Sequence, residues 1–393
     1  MFKQFKTARA LALIAACAGS GYLFAPPKGG KPVNAPTPAA GVTKADGYYA
    51  YSSVATTPGA VVTEPTIMAI KTTKILGLVG AVTAEAAESM NSGVGTNAAA
   101  MGADTGTKIA GSSGSAHRAS TWIRASFGAI DNSVTDQKWN GQSYLTMIGA
   151  DYKFNNMFCA GLGLSYSHLN ARTEFNNGEM KQDTLGVNPY FIIVPHKNFN
   201  FEFVGGWSTT KGNDRRRWIT TQQTNAAGVV NHIDNTFTSS PKSKAMFGGV
   251  FANFVNKVNK TSFSLQLGYI MMQSKMDKFT EKSAQAAYNG SAVAVPSNTF
   301  KAQTATAKVL VGYQMTPSVM PFINIHGQYD VKKNQGVTFD KAAEYKVNRS
   351  AFGGGAGFHV RNDDALSGSL QFDYTARGQL KTYVTGLRLH YGF

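Results

Sequence analysis

The sequence predicts an all-β fold: a transmembrane, antiparallel, up-and-down β-barrel of about twelve strands, preceded by a partly helical linker rich in small residues. Three observations carry this. The last segment splits cleanly into two faces, with Thr385, Leu387, Leu389, Tyr391 and Phe393 on one and Gly386, Arg388, His390 and Gly392 on the other. Segments with the same period of two recur from His117 onward. The links between them alternate short and long. Strands with lipid on one side and a polar lumen on the other show such alternation, and barrels that cross membranes keep short turns at one rim and long loops at the other.

Composition agrees. The chain has 393 residues, with 41 Gly, 16 Tyr and 24 Phe, and only 15% are charged. Small and aromatic residues in that proportion suit close packing in a lumen and aromatic girdles at the lipid interfaces. The net charge is +16, but the basic residues are scattered. The one tight run, Arg215-Arg216-Arg217, comes with no nucleic-acid motif. A nucleic-acid partner is therefore not expected, and contact with anionic outer-membrane lipid and lipopolysaccharide is the expected use of the excess charge.

The N-terminus reads as a secretory signal, residues 1–25. Lys3, Lys6 and Arg9 precede an apolar core that begins at Leu11. Cleavage at Ala16-Cys17-Ala18 and cleavage near Ala25 both fit, and Ile14-Ala15-Ala16-Cys17 also fits a lipidation site. Residues 26–79 are expected to be a secreted segment, mostly extended or disordered. Ile75–Met90 has helical potential, with Glu85 and Glu88 on its polar side, but its apolar part is too short to span a bilayer. Residues 80–116 form the linker, and from 92 they are almost all Gly, Ala, Ser and Thr. That composition suits a flexible tether or a narrow segment threading a pore.

The barrel itself is expected over 117–393, with strands centred near 125, 148, 163, 189, 204, 249, 267, 309, 325, 355, 371 and 387. The alternation is clearest where Phe263, Leu265, Leu267, Tyr269 and Met271 face away from Ser264, Gln266 and Gly268. Pro189 removes a ladder hydrogen bond, which predicts a local bulge. Short turns fall at Asn155-Asn156, 195–198, 258–260, 316–318 and 362–364. Longer links fall at 131–141, 169–183, 209–242, 274–300 and 331–347, with a brief one near 376–381. This places Phe393 at the periplasmic rim and Arg215 to Arg217 outside the cell.

In this combination the sequence resembles the translocator domain of bacterial autotransporters. A secretory signal and a small-residue linker precede Trp122-x-Arg124 at the first strand, about twelve strands follow, and Gly386-x-Arg388 leads to Phe393. The resemblance covers residues 80–393. It implies a chain in the outer membrane with its external loops at the cell surface, inserted by the barrel-assembly machinery. That machinery would read the last strand through Thr385, Leu387, Leu389, Tyr391 and Phe393. It also implies a linker lying in the pore and an N-terminal segment displayed at the surface. The segment ahead of the barrel, 26–116, carries no repeat and no Gly-x-Ser-x-Gly or Gly-Asp-Ser motif. Alternative functions are a porin-like channel or structural barrel plugged by its N-terminal segment, and an adhesin acting through 209–242 and 274–300.

Asp151, Lys153, Glu202, Lys308, Asp330, Asp373 and Arg388 are expected on the lumen wall, as a structural network or a tuned ion pathway. No His/Cys cluster has metal spacing, and neither a cofactor nor catalysis is expected. Ser167 and His168 are neighbours in one strand, so their side chains point to opposite faces and cannot pair as nucleophile and base.

Overall fold

A computed structural model of the chain describes residues 42–45, 48–51, 118–133, 139–173, 178–196, 198–224, 229–284, 294–295, 297–334, 348–362 and 366–393. The expected signal segment 1–25 with Cys17, the helix at 75–90 and the linker 80–116 lie outside the described residues. The chain divides into two units, Met1–Val62 and Thr63–Phe393. In the first, β1 (Val42–Ala45) and β2 (Tyr48–Tyr51) pair antiparallel, with Val42 opposite Tyr51.

The second unit holds β3 (Ala119–Asn132), β4 (Trp139–Lys153), β5 (Phe158–Thr173), β6 (Gly178–His196), β7 (Phe199–Thr224) and β8 (Val229–Ser239). It continues through β9 (Lys242–Val258), β10 (Thr261–Met276), β11 (Phe279–Thr280), β12 (Lys282–Ser283), β13 (Ala294–Val295) and β14 (Asn298–Tyr313). The last four strands are β15 (Val319–Asn334), β16 (Ser350–Asn362), β17 (Leu366–Arg377) and β18 (Leu380–Gly392). The main sheet has 14 strands, of which β8 and β12 lie outside the ring. The other 12 close on themselves, because β18 pairs antiparallel with β3 from Leu380↔Asn132 to Gly392↔Ser120 and β7 pairs antiparallel with β9 from Phe199↔Phe254 to Lys211↔Lys242. Closure removes the two sheet edges that would otherwise carry unpaired backbone groups in lipid.

Alternation along each strand sorts side chains into lipid and lumen faces. Ile148, Leu162, Leu185, Met271, Ile323 and Ile325 are exposed on the outer face, Ile325 at 67%. Apolar surface on this scale, carried round a whole ring, is far beyond what a water-soluble monomer exposes. Aromatic pairs bound the band. Tyr152–Phe154, Phe199–Phe254 and Tyr391–Phe393 lie at the rim of the short turns, with ring centroids 5.3, 4.5 and 6.3 Å apart. Phe127–Tyr144 and Tyr374–Tyr383 lie toward the other rim, both at 5.1 Å. Asn259 supplies the positive φ (54°) that its two-residue turn needs.

Three expectations are corrected. The stretch 209–242 is not a loop: β7 and β8 extend through it as a paired ribbon, Asp214↔Ser239 to Thr224↔Val229. The link 169–183 shrinks because β5 runs to Thr173 and β6 starts at Gly178. Pro189 makes no bulge. The register of β6 on β7 is the same on either side of it, Val187↔Trp207 and Tyr190↔Val204, while Pro189 itself stays opposite Leu162 of β5. The lost ladder bond is absorbed where β7 has Gly205 and Gly206, and the register shift falls lower, between Ile193 and His196.

Candidate functional site

The inner wall of the barrel is the candidate site, and it has two chemistries. Along β3 to β10 the inward side chains pack as an apolar cluster that includes Trp122, Met147, Tyr190, Ile192, Phe251 and Met272. Glycines make room for the rings. A Cβ on Gly149 would overlap Trp122, one on Gly161 would overlap Tyr190, and one on Gly268 would overlap Phe251. Toward the rim of the short turns this arc ends in an amide chain, where Gln266 Nε2 donates to Asn253 Oδ1 at 2.7 Å and Asn253 Nδ2 to Asn200 Oδ1 at 2.8 Å.

Along β14 to β17 the wall is polar. Asn324 Nδ2 donates to Asp373 Oδ1 at 3.0 Å, and Gln371 also bonds Asp373. His326 bridges Asn324 (3.1 Å) and Thr375 (2.8 Å). Arg377 donates to Asp330 Oδ2 at 2.6 Å and to Gln328 Oε1 at 2.8 Å, while Thr304 Oγ1 donates to Asp330 Oδ1 at 2.9 Å.

A charged knot joins the two arcs where β18 meets β3. Ser120 Oγ and Tyr190 Oη donate to the two oxygens of Asp151, at 2.7 and 2.9 Å. Trp122 Nε1 donates to Tyr190 Oη at 2.9 Å, and the Arg388 guanidinium lies 5.8 Å from the centroid of the Trp122 ring. Arg388 is the cation whose field reaches both Asp151 and Glu202. Glu202 is fully buried, and neither carboxylate oxygen has a hydrogen-bond partner. Its compensation is therefore a through-space charge and not a bonded pair.

Of the residues expected on the lumen wall, Asp151, Glu202 and Arg388 come together in this knot, and Lys153 is buried on the same face of β4 as Asp151. Asp330 and Asp373 belong to the polar arc, and Lys308, half-buried, lies opposite His326. Sequence reasoning missed Trp122–Tyr190 and the apolar arc as a whole. The available signal was apolar residues in succession, as in Tyr190-Phe191-Ile192-Ile193, which is what a strand buried on both faces shows. Thr385, Leu387 and Leu389 are half-buried on the outer face of β18, and Tyr391 and Phe393 are exposed there. Ser167 is buried inward, whereas His168 faces outward with Nδ1 2.8 Å from Asp183.

Beyond the lipid band, the external ribbon has its own buried charge. The Asp214 carboxyl has an oxygen without a hydrogen-bond partner, and burial followed by the nearby Glu281 pushes its pKa up to about 7. Arg215 reaches Glu179 at 3.5 Å. The side chains of Arg216 and Arg217 lie outside the described residues.

A closed ring of strands with an apolar outer band and a side-chain-lined interior defines an outer-membrane barrel, a protein that crosses the membrane with strands. The autotransporter beta-domain family model matches residues 121–373, and the chain belongs to that family. It is an outer-membrane protein of the kind that exports a passenger. The translocator domain of the autotransporter NalP from Neisseria meningitidis superposes with a TM-score of 0.62 at 12% identity, covering 84% of this chain and 100% of that one. The beta domain of the Bordetella autotransporter BrkA is also similar, with a TM-score of 0.49 at 14% identity, covering 70% of this chain and 100% of that one. No curated protein sequence matches the chain.

Proposed function

We propose that the barrel anchors and exports its own N-terminal segment: residues 26–79 are carried to the cell surface, and the linker 80–116, with the end of the Ile75–Met90 helix, stays in the lumen. The observation that carries this reading is the two-sided inner wall. An amphipathic helix meets an apolar surface on one side and hydrogen-bonding groups on the other. The part of Ile75–Met90 that lies in the linker has that character, with Val82, Ala86 and Met90 on one side and Glu85 and Glu88 on the other. The lumen cations Lys153 and Lys308 complement those two carboxylates. In this account the seven lumen charges hold the linker and keep the wall rigid.

Insertion would be directed by the barrel-assembly machinery through Thr385, Leu387, Leu389, Tyr391 and Phe393. The barrel's surroundings are outer-membrane lipid and lipopolysaccharide, and its role is transport without catalysis. An epitope inserted at Asp46-Gly47, between β1 and β2, tests display. Labelling of intact cells supports export. Labelling only after the outer membrane is permeabilised, with the barrel folded, overturns it in favour of a plugged channel.

A further inference from the structure

The outer face of the barrel is not uniform at its external edge. On five consecutive strands of the ring the apolar run gives way to lysine. These are Lys211 on β7, Lys242 and Lys244 on β9, Lys275 on β10, Lys301 on β14 and Lys332 on β15, all exposed. Just below them lie Trp207, Met246, Met271 and Val331, exposed on the same face. The ammonium groups therefore stand at the upper limit of the lipid band, with their stems along it.

Register makes the arrangement costly. Lys211 is directly opposite Lys242, and Lys244 is directly opposite Lys275. Like charges facing each other across a ladder repel. The nearby carboxylates do not relieve this. Asp183, opposite Lys211, already accepts from Tyr166 Oη and pairs with His168, both at 2.8 Å. Among the described residues, Asp277 forms no ion pair with any of the six lysines. Elsewhere on the rim ion pairs do form: Lys181 pairs with Glu179 at 3.1 Å, and Arg215 also reaches Glu179.

We infer that this lysine arc binds the phosphate groups of a phosphorylated glycolipid of the outer leaflet, the lipid A part of lipopolysaccharide. Adjacent phosphates on one rigid headgroup would neutralise the facing lysine pairs, and its acyl chains would lie on the apolar strip below. The inference rests on the outer-membrane placement and deepens it by naming the residues that hold the lipid.

The test uses the full chain, refolded in zwitterionic detergent, with folding monitored by its shift on unheated gels. Retention of bisphosphorylated lipid A is compared with that of the same lipid after phosphatase treatment, and with that of phosphatidylglycerol. Wild type should retain bisphosphorylated lipid A in a salt-sensitive way, and the K211Q/K242Q/K244Q/K275Q variant should retain it about tenfold less. The corresponding four-arginine variant should bind like wild type, and dephosphorylated lipid A should bind no better than the glutamine variant binds lipid A. Equal retention by wild type and the glutamine variant overturns the inference, as does equal retention of phosphatidylglycerol and lipid A. If the glutamine variant fails to fold, K244Q alone carries the comparison. A folded chain that still displays the Asp46 epitope but ignores lipid A removes this inference and leaves export standing.

Discussion

The two halves of the inner wall share one backbone architecture and differ in what holds them. From β3 to β10 the lumen side is packed: Trp122, Tyr190, Phe251 and Met272 fill the space that Gly149, Gly161 and Gly268 leave open. From β14 to β17 it is bonded: Asn324, His326, Asp373 and Thr375 form one polar chain, and Arg377, Asp330, Gln328 and Thr304 form a second. Twelve strands with one period can therefore enclose an interior that is apolar on one side and polar on the other. In the proposed function, that asymmetry receives an amphipathic linker.

The comparison breaks first at Trp122. If the packed arc works as a core, Trp122→Ala should destabilise the folded barrel by about 3–5 kcal/mol, read by urea unfolding in micelles. Such a change removes the ring, the Tyr190 hydrogen bond and the face beneath Arg388 together. A cost below that of any polar-arc substitution would contradict the division. On the bonded side, Arg377→Ala should cost about 2–3 kcal/mol, because its charged hydrogen bonds to Asp330 and Gln328 are lost. His326→Ala should cost about 1–2 kcal/mol in the same assay, since two neutral bonds are lost from a wall that has others.

The remaining effect is confined to the external ribbon and is read as a pH dependence. Burial raises the Asp214 pKa from 3.8 to about 7, so the folded ribbon favours the protonated form. The ribbon should be most stable below pH 4, lose stability as pH rises from about 4 to 7, and change little above that. Protease cleavage near β7 and β8 should therefore be faster at pH 8 than at pH 5. Asp214→Asn should flatten that dependence; an unchanged profile would mean that another group sets it.

How much of this the sequence could reveal follows from the same division. Where one face is apolar and the other polar, as at Phe263 to Met271, the period fixes the strand and its orientation. Where both faces are apolar, as at Tyr190 to Ile193, alternation vanishes, and the packed arc could not be seen as a lumen feature. Polar composition misled in the opposite direction at 209–242. Lys, Asn, Thr and Gln look like loop residues there, yet the backbone pairs through the stretch from Asp214↔Ser239 to Thr224↔Val229. Pro189 misled because its lost hydrogen bond depends on its partner: Gly205 and Gly206 on β7 leave the register intact. The knot of Asp151, Glu202 and Arg388 joins residues far apart in sequence, and only closure of β18 on β3 brings them together.

The most direct test uses the native thiol of Cys159, which is buried on the packed arc. In a Cys17→Ser background, cysteines are placed one at a time along Ile75–Met90 and the folded, membrane-embedded chain is oxidised. The account predicts disulfides to Cys159 at positions three or four apart, as one face of a helix in the lumen requires. No disulfide at any position, from a barrel that still shifts on unheated gels, would contradict a lumen occupied by the chain's own linker.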